Sequence, residues 1–229
     1  MHHASSGYKG TKKMEIIHFS LFTFHFISYL CSMNTTIFLV RHGETVDNAR
    51  MIMQGQSQGC LNERGEEQAR LVAERLATEH FDAVVSSDLR RAVQTAEIIA
   101  APHGLPVTQT PLLRERDWGS FTGRYIPELR NEKWPDDIES EEELLSRART
   151  FLIYITTTYH GKKVLAVGHG IFNKAVLAVY AGCSMKDVQR MMNAEVRQLT
   201  ISAEQVLAGF ASASPDNEGD TTSRIASAE

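Results

Sequence analysis

A strand-like run that ends abruptly in charged and small residues constrains this chain more than any other feature of its sequence. Residues 36–40 read Thr-Ile-Phe-Leu-Val, and Arg41, His42 and Gly43 follow directly. A short, continuous apolar run is consistent with a buried β-strand, and open α/β sheets bind their ligands just outside the carboxyl ends of their strands. Gly43 lets the backbone turn sharply and lets a ligand approach closely. The pattern therefore predicts a site that can hold a phosphate group beside an imidazole nitrogen.

The middle of the chain alternates strand-like and helix-like segments, which is the pattern of an α/β domain. Further strands are predicted over residues 82–86, 106–109 and 163–167. Predicted helices begin at the capping residues Asn62, Ser87 and Ser140, and one more is predicted from Asn173 to Tyr180. Two late alternating stretches, near residues 196–202 and 205–210, predict a closing hairpin. We expect a three-layer sandwich with a mostly parallel central sheet flanked by helices.

The 229 residues suffice for one domain with a sizeable core, which we place at residues 33–211. Residues 1–32 form a leader in which a basic, polar stretch precedes an apolar and aromatic one. This leader resembles a signal peptide, but residues 28–30 make a poor cleavage site and the apolar part is short for a membrane span. We expect a non-native or over-extended start, with an export signal or a membrane anchor as the alternative. Residues 212–229 are polar and aperiodic, which predicts a disordered tail.

Charge and cysteine content argue against several classes of protein. The net charge of −4 disfavours a nucleic-acid binder, although arginines near the motifs still permit a local anion site. Three scattered cysteines (Cys31, Cys60 and Cys183) match no disulfide framework and no zinc spacing. We expect a cytoplasmic protein that has a small phosphorylated substrate as its partner and binds neither nucleic acid nor a membrane. The sequence leaves the oligomeric state open, a homo-oligomer included.

Four reactive side chains are predicted to meet at one edge of the sheet. His42 and His169 each follow a strand and each precede a glycine, while Arg91 lies near a helix start and Glu115 in a loop. Because the carboxyl ends of parallel strands share one edge, these side chains can converge on one pocket. Taken singly, each has a structural explanation, such as a tight turn, a solvated helix residue or a surface ion pair. A metal site on the two histidines is disfavoured because the neighbouring arginines repel a cation.

Five sequence blocks, in this order, resemble those of the histidine phosphatase superfamily, the phosphoglycerate mutase-like enzymes. The first block is Arg41-His42-Gly43-Glu44-Thr45 with Asn48, and the last is Gly168-His169-Gly170. The three between them are Leu61-Asn62 with Gly65 and Gln68, Ser86-Ser87-Asp88-Leu89 with Arg91, and Leu113 with Glu115 and Trp118-Gly119. Each block alone is weak evidence, whereas five in the family's order are strong evidence. The resemblance implies the phosphoglycerate mutase-like fold for residues 34 to 210.

The resemblance also implies a role for each site residue. His42 is the nucleophile that becomes phosphorylated, and Glu115 donates a proton to the leaving oxygen. The expected ligands of the phosphoryl oxygens are Arg41, Arg91, His169 and Asn48. The residues expected to line the substrate side are Gln54, Gly55, Arg116, Trp118 and Gly170. This scheme needs no metal and no cofactor.

Three functions remain open within that resemblance. The first is a metal-independent phosphomonoester hydrolase that acts on a small phosphorylated metabolite, such as a sugar phosphate or α-ribazole phosphate. The second is a cofactor-dependent phosphoglycerate mutase, which the absence of an Arg-Arg pair between residues 116 and 167 disfavours. The third is a catalytically silent phosphate-binding module, for which a proton donor such as Glu115 would have no use.

Overall fold

The computed structural model describes residues 34–202 and residue 205. The strands are β1 (Thr35–Arg41), β2 (Ala83–Ser87), β3 (Val107–Thr110), β4 (Lys163–Gly168) and β5 (Val196–Ile201). They form one sheet in the order β3-β2-β4-β1-β5. The first four strands pair in parallel, and β5 joins the edge antiparallel to β1. The predicted mostly parallel α/β sheet is confirmed.

Helices cover both faces of this sheet. They are α1 (Val46–Ala49), α2 (Glu63–Leu76), α3 (Arg90–Ala100), α4 (Glu141–Thr158) and α5 (Gly170–Ala181). Ile37 and Leu39 of β1 pack with α4 and α5, whereas Phe38 and Val40 pack with α2 and α3. A strand buried on both faces reads as an unbroken apolar run, and this explains the pattern of residues 36–40. None of the described helices is long and apolar enough to cross a membrane.

Helix starts follow the predicted caps in two of three cases. The Asn62 side chain accepts the Gly65 N–H at the start of α2, and Ser140 forms a capping box at the start of α4. The predicted cap at Ser87 is wrong because α3 begins after Leu89. The Ser87 hydroxyl instead accepts the Leu89 N–H and closes the turn between β2 and α3.

Two further element boundaries differ from the predictions. Helix α5 begins at Gly170, three residues before the predicted start at Asn173. Gln205, which was expected to open the second strand of a hairpin, is helical, and residues 206–210 lie outside the described residues. The first strand of that hairpin exists as β5, and its partner is β1.

The register between β1 and β4 brings the two motif histidines to the same level of the carboxyl edge. Arg41 is paired with Gly168, and the His42 N–H donates to the Gly168 carbonyl oxygen at 3.0 Å. His42 and His169 therefore leave adjacent strands side by side. The start of α5 directly after His169 adds backbone N–H groups to the same edge.

Candidate active site

His42 and His169 lie together in the interior of the carboxyl edge. Their ring centroids are 5.0 Å apart, and the residues are only 3% and 0% exposed. Neither ring nitrogen of His169 has a hydrogen-bond partner among the described residues. Since buried polar atoms are normally hydrogen-bonded, this ring is suited to donate to a polar ligand beside His42.

The hydrogen bonds of His42 determine which ring nitrogen carries the lone pair. Nδ1 lies 2.7 Å from the carbonyl oxygen of Gly43. A carbonyl oxygen can only accept, so Nδ1 carries the proton and donates it to this bond. The Nε–H of Arg91 donates to Nε2 of His42 at 3.3 Å. Nε2 is therefore the unprotonated nitrogen and the atom that can act as a nucleophile.

Burial and nearby cations keep both histidines neutral. Burial lowers the pKa of His42 well below its usual 6.5, and the Arg91 and Arg41 guanidinium groups lower it further. The hydrogen bond to the Gly43 carbonyl acts in the opposite direction without reversing the shift. Burial, followed by Arg91 and His42, likewise lowers the pKa of His169. Only neutral imidazole can attack phosphorus, so His42 has the form that its predicted role as nucleophile requires at neutral pH.

Backbone carbonyls hold the two arginines nearest the histidines. Arg91 donates from Nη1 to the Ser57 carbonyl at 2.7 Å and from Nη2 to the Gly55 carbonyl at 2.8 Å. Arg41 donates from Nη1 to the Met191 carbonyl at 2.8 Å, and its buried Nε has no partner among the described residues. Burial lowers the pKa of each arginine to about 10, so both remain cations at neutral pH. Because the hydrogen-bond acceptors of both guanidinium groups are neutral carbonyl oxygens, the positive charges of Arg41 and Arg91 are available to an anion.

The carboxylate of Glu115 caps the N-terminus of α5 from a distant loop. It accepts the N–H of Ile171 at 3.2 Å, of Phe172 at 3.0 Å and of Arg116 at 2.9 Å. No local side chain caps this helix, since the residue before it, His169, makes no cap hydrogen bond. A carboxylate at this position satisfies helix N–H groups and interacts favourably with the helix dipole. This contact explains the early start of α5.

A partly buried ion pair holds the loop that carries Glu115. Arg147 and Glu139 form two hydrogen bonds, of 2.9 Å and 2.7 Å, and their side chains are only 17% and 13% exposed. Nη1 of Arg147 also donates to the carbonyl oxygens of Leu112 and Arg114, at 3.1 Å and 2.6 Å. The planar guanidinium thus joins α4, the segment before it and the Glu115 loop in one rigid arrangement.

The functional groups line a cavity of about 200 Å³. The predicted site residues in its wall are Arg41, His42, Asn48, Gln54, Gly55, Arg91, Glu115 and Trp118. His169 is not among the wall residues, but its ring lies next to that of His42, which is one of them. Pockets for drug-sized ligands are typically about 300–1,000 Å³, so the cavity matches a smaller molecule.

The structure does not bring Arg116 into the cavity wall. Its guanidinium lies over the rings of Trp118 and Trp134, 4.9 Å and 5.2 Å from their centroids. Its Nε donates to the Glu139 carbonyl at 2.7 Å. Arg116 therefore supports Trp118, which lines the cavity, and does not face the cavity itself.

Gly170 is also absent from the wall, but it leaves space for side chains that form it. A Cβ atom at this position would lie 2.9 Å from Nε of Arg190 and 3.1 Å from Nε of Arg41. Real Cβ atoms rarely approach other atoms this closely. The glycine thus allows two guanidinium groups to pack against the first turn of α5.

Comparison with known proteins identifies the family. The model of the histidine phosphatase superfamily (branch 1) matches residues 37–208. The chain belongs to this superfamily. The predicted resemblance is thereby confirmed.

Among the proteins similar to this chain, some are named phosphatases and others are named mutases. The uncharacterized phosphatase PhoE of Bacillus subtilis is 36% identical over 75% of this chain and 91% of its own length. A probable phosphoglycerate mutase, GpmB of Photorhabdus laumondii, is 40% identical over 59% of this chain and 69% of its own. The solved mycobacterial glucosyl-3-phosphoglycerate phosphatase is 27% identical, with a TM-score of 0.67 over 73% of this chain and 90% of its own.

The sequence analysis did not identify several residues that line the cavity. Arg190 lines the cavity together with the apolar residues Ile52, Met53, Ile126 and Ile171. Arg190 belongs to none of the five motif blocks and lies in a segment without periodicity. Ile171 directly follows the last motif, and this adjacency was the sequence signal that could have revealed it.

Proposed function

We propose that this protein is a metal-independent phosphomonoester hydrolase that acts on a small phosphorylated metabolite through a phosphohistidine at His42. One observation carries the proposal. Nε2 of His42 is the unprotonated ring nitrogen and accepts from Arg91, and His42, Arg41 and Arg91 all line one cavity. Such a site attracts a phosphate dianion and supplies the atom that attacks it.

The first half of the reaction transfers the phosphoryl group to His42. Nε2 forms a bond to phosphorus while the ester P–O bond breaks, and the leaving oxygen takes a proton from Glu115. Charge on the equatorial oxygens is met by the guanidinium N–H groups of Arg41 and Arg91 and by a ring N–H of His169. In the resting structure the Nε–H of Arg91 donates to Nε2 of His42. As the phosphorus atom approaches Nε2, this N–H donates to a phosphoryl oxygen instead. Removal of one preorganised donor typically costs about 3 kcal/mol of transition-state stabilisation.

The second half returns the enzyme to its starting state. Water attacks the phosphorus atom, the N–P bond breaks, and Glu115 takes the proton from the water. Inorganic phosphate leaves and His42 is again neutral. Division of one difficult displacement into two easier ones is the advantage of a covalent intermediate.

The charge of the wall supports a reaction without a metal. Guanidinium groups already provide the positive charge that a metal ion supplies in other phosphoryl-transfer enzymes. A divalent cation placed among Arg41, Arg91 and Arg190 would be repelled by all three.

A phosphoglycerate mutase is the second candidate, because relatives such as GpmB carry that name. Both reactions share the phosphohistidine, and they differ in whether water or a second substrate hydroxyl accepts the phosphoryl group. A mutase interconverts phosphoglycerates and is stimulated by bisphosphoglycerate. A phosphatase releases inorganic phosphate at the same rate with or without that compound.

The proposal is tested by turnover of p-nitrophenyl phosphate in the presence of EDTA, together with trapping of the phosphoenzyme. We expect full activity with the chelator, and a label that is acid-labile, alkali-stable and located on the peptide that contains His42. The His42→Ala variant should be inactive, and Arg75→Gln, at an exposed site on α2, should behave as wild type. Activity lost on metal removal, or a label on another peptide, would refute the mechanism.

A further inference from the structure

We propose that Asn193 is a positioning residue that fixes the side-chain amide of Asn48, so that the NH2 group of Asn48 donates to the phosphoryl group of the substrate. The inference rests on the proposed function, because it assigns a supporting residue to the same site. Asn193 is not among the residues that line the cavity, and it belongs to none of the five motif blocks. Its role follows from a series of hydrogen bonds that begins at the backbone of His42.

The carbonyl oxygen of His42 determines how the Asn193 amide is oriented. This oxygen accepts from Nδ2 of Asn193 at 3.1 Å and from the N–H of Ala194 at 3.3 Å. Because a carbonyl oxygen only accepts, the group of Asn193 that faces it is the NH2 group. The same Nδ2 also donates to Oδ1 of Asn48 at 3.4 Å. An NH2 group has two hydrogens, so Asn193 serves both acceptors at once.

Two donors hold the side-chain oxygen of Asn48, which leaves its NH2 group for the cavity. Oδ1 of Asn48 accepts from the Thr45 N–H at 3.3 Å, as part of the capping box at the start of α1, and from Asn193. A flipped amide would set its NH2 group against both donors, so this orientation is favoured. Within residues 34–202 the hydrogen bonds of Asn48 use its backbone and Oδ1 and not Nδ2. Since Asn48 lines the cavity, its NH2 group is available to an anion there, whereas Oδ1 in the same place would repel one.

The turn that carries Asn193 is anchored to the end of β1. The Glu195 N–H donates to the Met192 carbonyl oxygen at 3.1 Å and closes the turn. The Ala194 N–H donates to the Arg41 carbonyl oxygen at 3.0 Å, and the Arg41 N–H donates to the Glu195 carbonyl oxygen at 3.1 Å. Ala194 has a φ of 57°, a left-handed conformation that a residue with a side chain rarely adopts. Such strain persists where surrounding contacts hold it in place, often at functional sites, and here it places Asn193 beside the nucleophile.

The contribution of Asn193 to the site falls mainly on Asn48. Without Asn193, the His42 carbonyl retains the Ala194 N–H as a donor. The reactive ring of His42 is oriented separately, by the Gly43 carbonyl oxygen. The Asn48 amide, in contrast, loses one of the two donors that keep its oxygen turned away from the substrate. We therefore expect Asn193 to affect phosphate binding through the amide of Asn48.

A double-mutant cycle tests this coupling. It compares wild type, Asn48→Ala, Asn193→Ala and the double variant in kcat/KM for p-nitrophenyl phosphate. Asn48→Ala should lose about 10- to 100-fold, the range expected for a hydrogen bond to a charged group. Asn193→Ala should lose about threefold, because its 3.4 Å bond to Asn48 is long. It should lose nothing further when Asn48 is already alanine, and Asn131→Ala, at an exposed site, should behave as wild type.

A second measurement reads the Asn48 amide without turnover. Its side-chain NH2 signals in the ¹⁵N–¹H NMR spectrum are identified by their loss in Asn48→Ala and are followed as inorganic phosphate is added. We expect phosphate to shift these signals in wild type and in Asn131→Ala, and to shift them less at saturation in Asn193→Ala. A purely structural role of Asn193 would leave the saturating shift unchanged.

Each other result has a distinct meaning. An equal loss from Asn193→Ala with and without Asn48 would show that it acts by another route, and no loss would show that it is a bystander. Asn48 signals that phosphate does not shift in wild type would show that its NH2 group does not meet the anion. Any of these three results overturns the inference while the proposed function stands.

Two further outcomes are also decided. If urea denaturation shows that Asn193→Ala does not fold, Asn193→Ser takes its place in the cycle, because a hydroxyl has one hydrogen and cannot serve both acceptors. If no ester is cleaved, the proposed function fails, and the phosphate titration of wild type and Asn193→Ala tests the inference by itself.

Discussion

Substitution of Glu115 by glutamine separates the acid role of this residue from its structural role. Its carboxylate accepts three backbone N–H groups, whereas an amide has one accepting oxygen and an NH2 group that only donates. All three N–H groups donate to Oε1, and Oε2 also accepts from Ile171 at 3.2 Å. An amide NH2 in place of Oε2 would set two donors against each other, which costs about 1–3 kcal/mol. Loss of the negative charge at the start of α5 costs about 0.3–1 kcal/mol more. We expect Glu115→Gln to fold with a lower free energy of unfolding.

The effect on turnover should depend on the leaving group. General acid catalysis contributes about 10²- to 10⁴-fold, and we expect kcat for an alkyl phosphate to fall by that factor. An aryl phosphate such as p-nitrophenyl phosphate leaves without protonation, so its rate of enzyme phosphorylation should fall less than about tenfold. Single-turnover kinetics on both esters, with the exposed Glu74→Gln as a control, measure this ratio. Equal losses on the two esters would show that Glu115 is not the acid.

Three further predictions follow from the same contacts. Gly170→Ala should displace the guanidinium groups of Arg190 and Arg41, which an added Cβ would meet at 2.9 Å and 3.1 Å, and should reduce kcat/KM about tenfold through the misplaced donor. Arg147→Met should release the loop that carries Glu115. Turnover of alkyl esters should then fall more than turnover of aryl esters, and an equal fall on both would contradict a positioning role for Arg147. Because the fold lowers the pKa of both His42 and His169, the unfolded chain binds more protons below pH 6.5. The free energy of unfolding should therefore fall below pH 6.5, measured by urea denaturation, and His169→Asn should weaken that dependence.

The strands, and the location of each histidine at a strand end, could be predicted from the sequence because local chemistry determines them. Strands β1 and β4 are covered by helices on both faces, so their sequences are apolar throughout and easy to recognise. Each strand ends where polar residues begin, and this change marks the edge that binds ligands. The strand register that makes His42 and His169 neighbours is not encoded in either segment alone. It arises from pairing of residues more than a hundred positions apart.

The contacts that sequence reasoning missed depend on tertiary structure. Helix α5 begins with Gly170, which is a poor helix former, and the start is stabilised by the carboxylate of Glu115 more than fifty residues earlier. In the sequence, Arg147 is an ordinary residue of α4. Only the fold shows that it donates to a carbonyl oxygen next to Glu115, that of Arg114. Arg190 likewise has no local pattern, and only the fold shows that it lies beside Gly170 and lines the cavity.

The choice of a carbonyl to orient His42 follows from the charge of the substrate. In serine proteases, a buried carboxylate orients the catalytic histidine and stabilises the imidazolium that forms. Here the Gly43 carbonyl performs the orienting role and leaves the ring neutral. A carboxylate in its place would raise the pKa of His42 and repel the incoming phosphate dianion. Arg41 and Arg91 instead lower that pKa. In the mechanism that we propose they also attract the dianion, so the same two charges prepare the nucleophile and bind what it attacks.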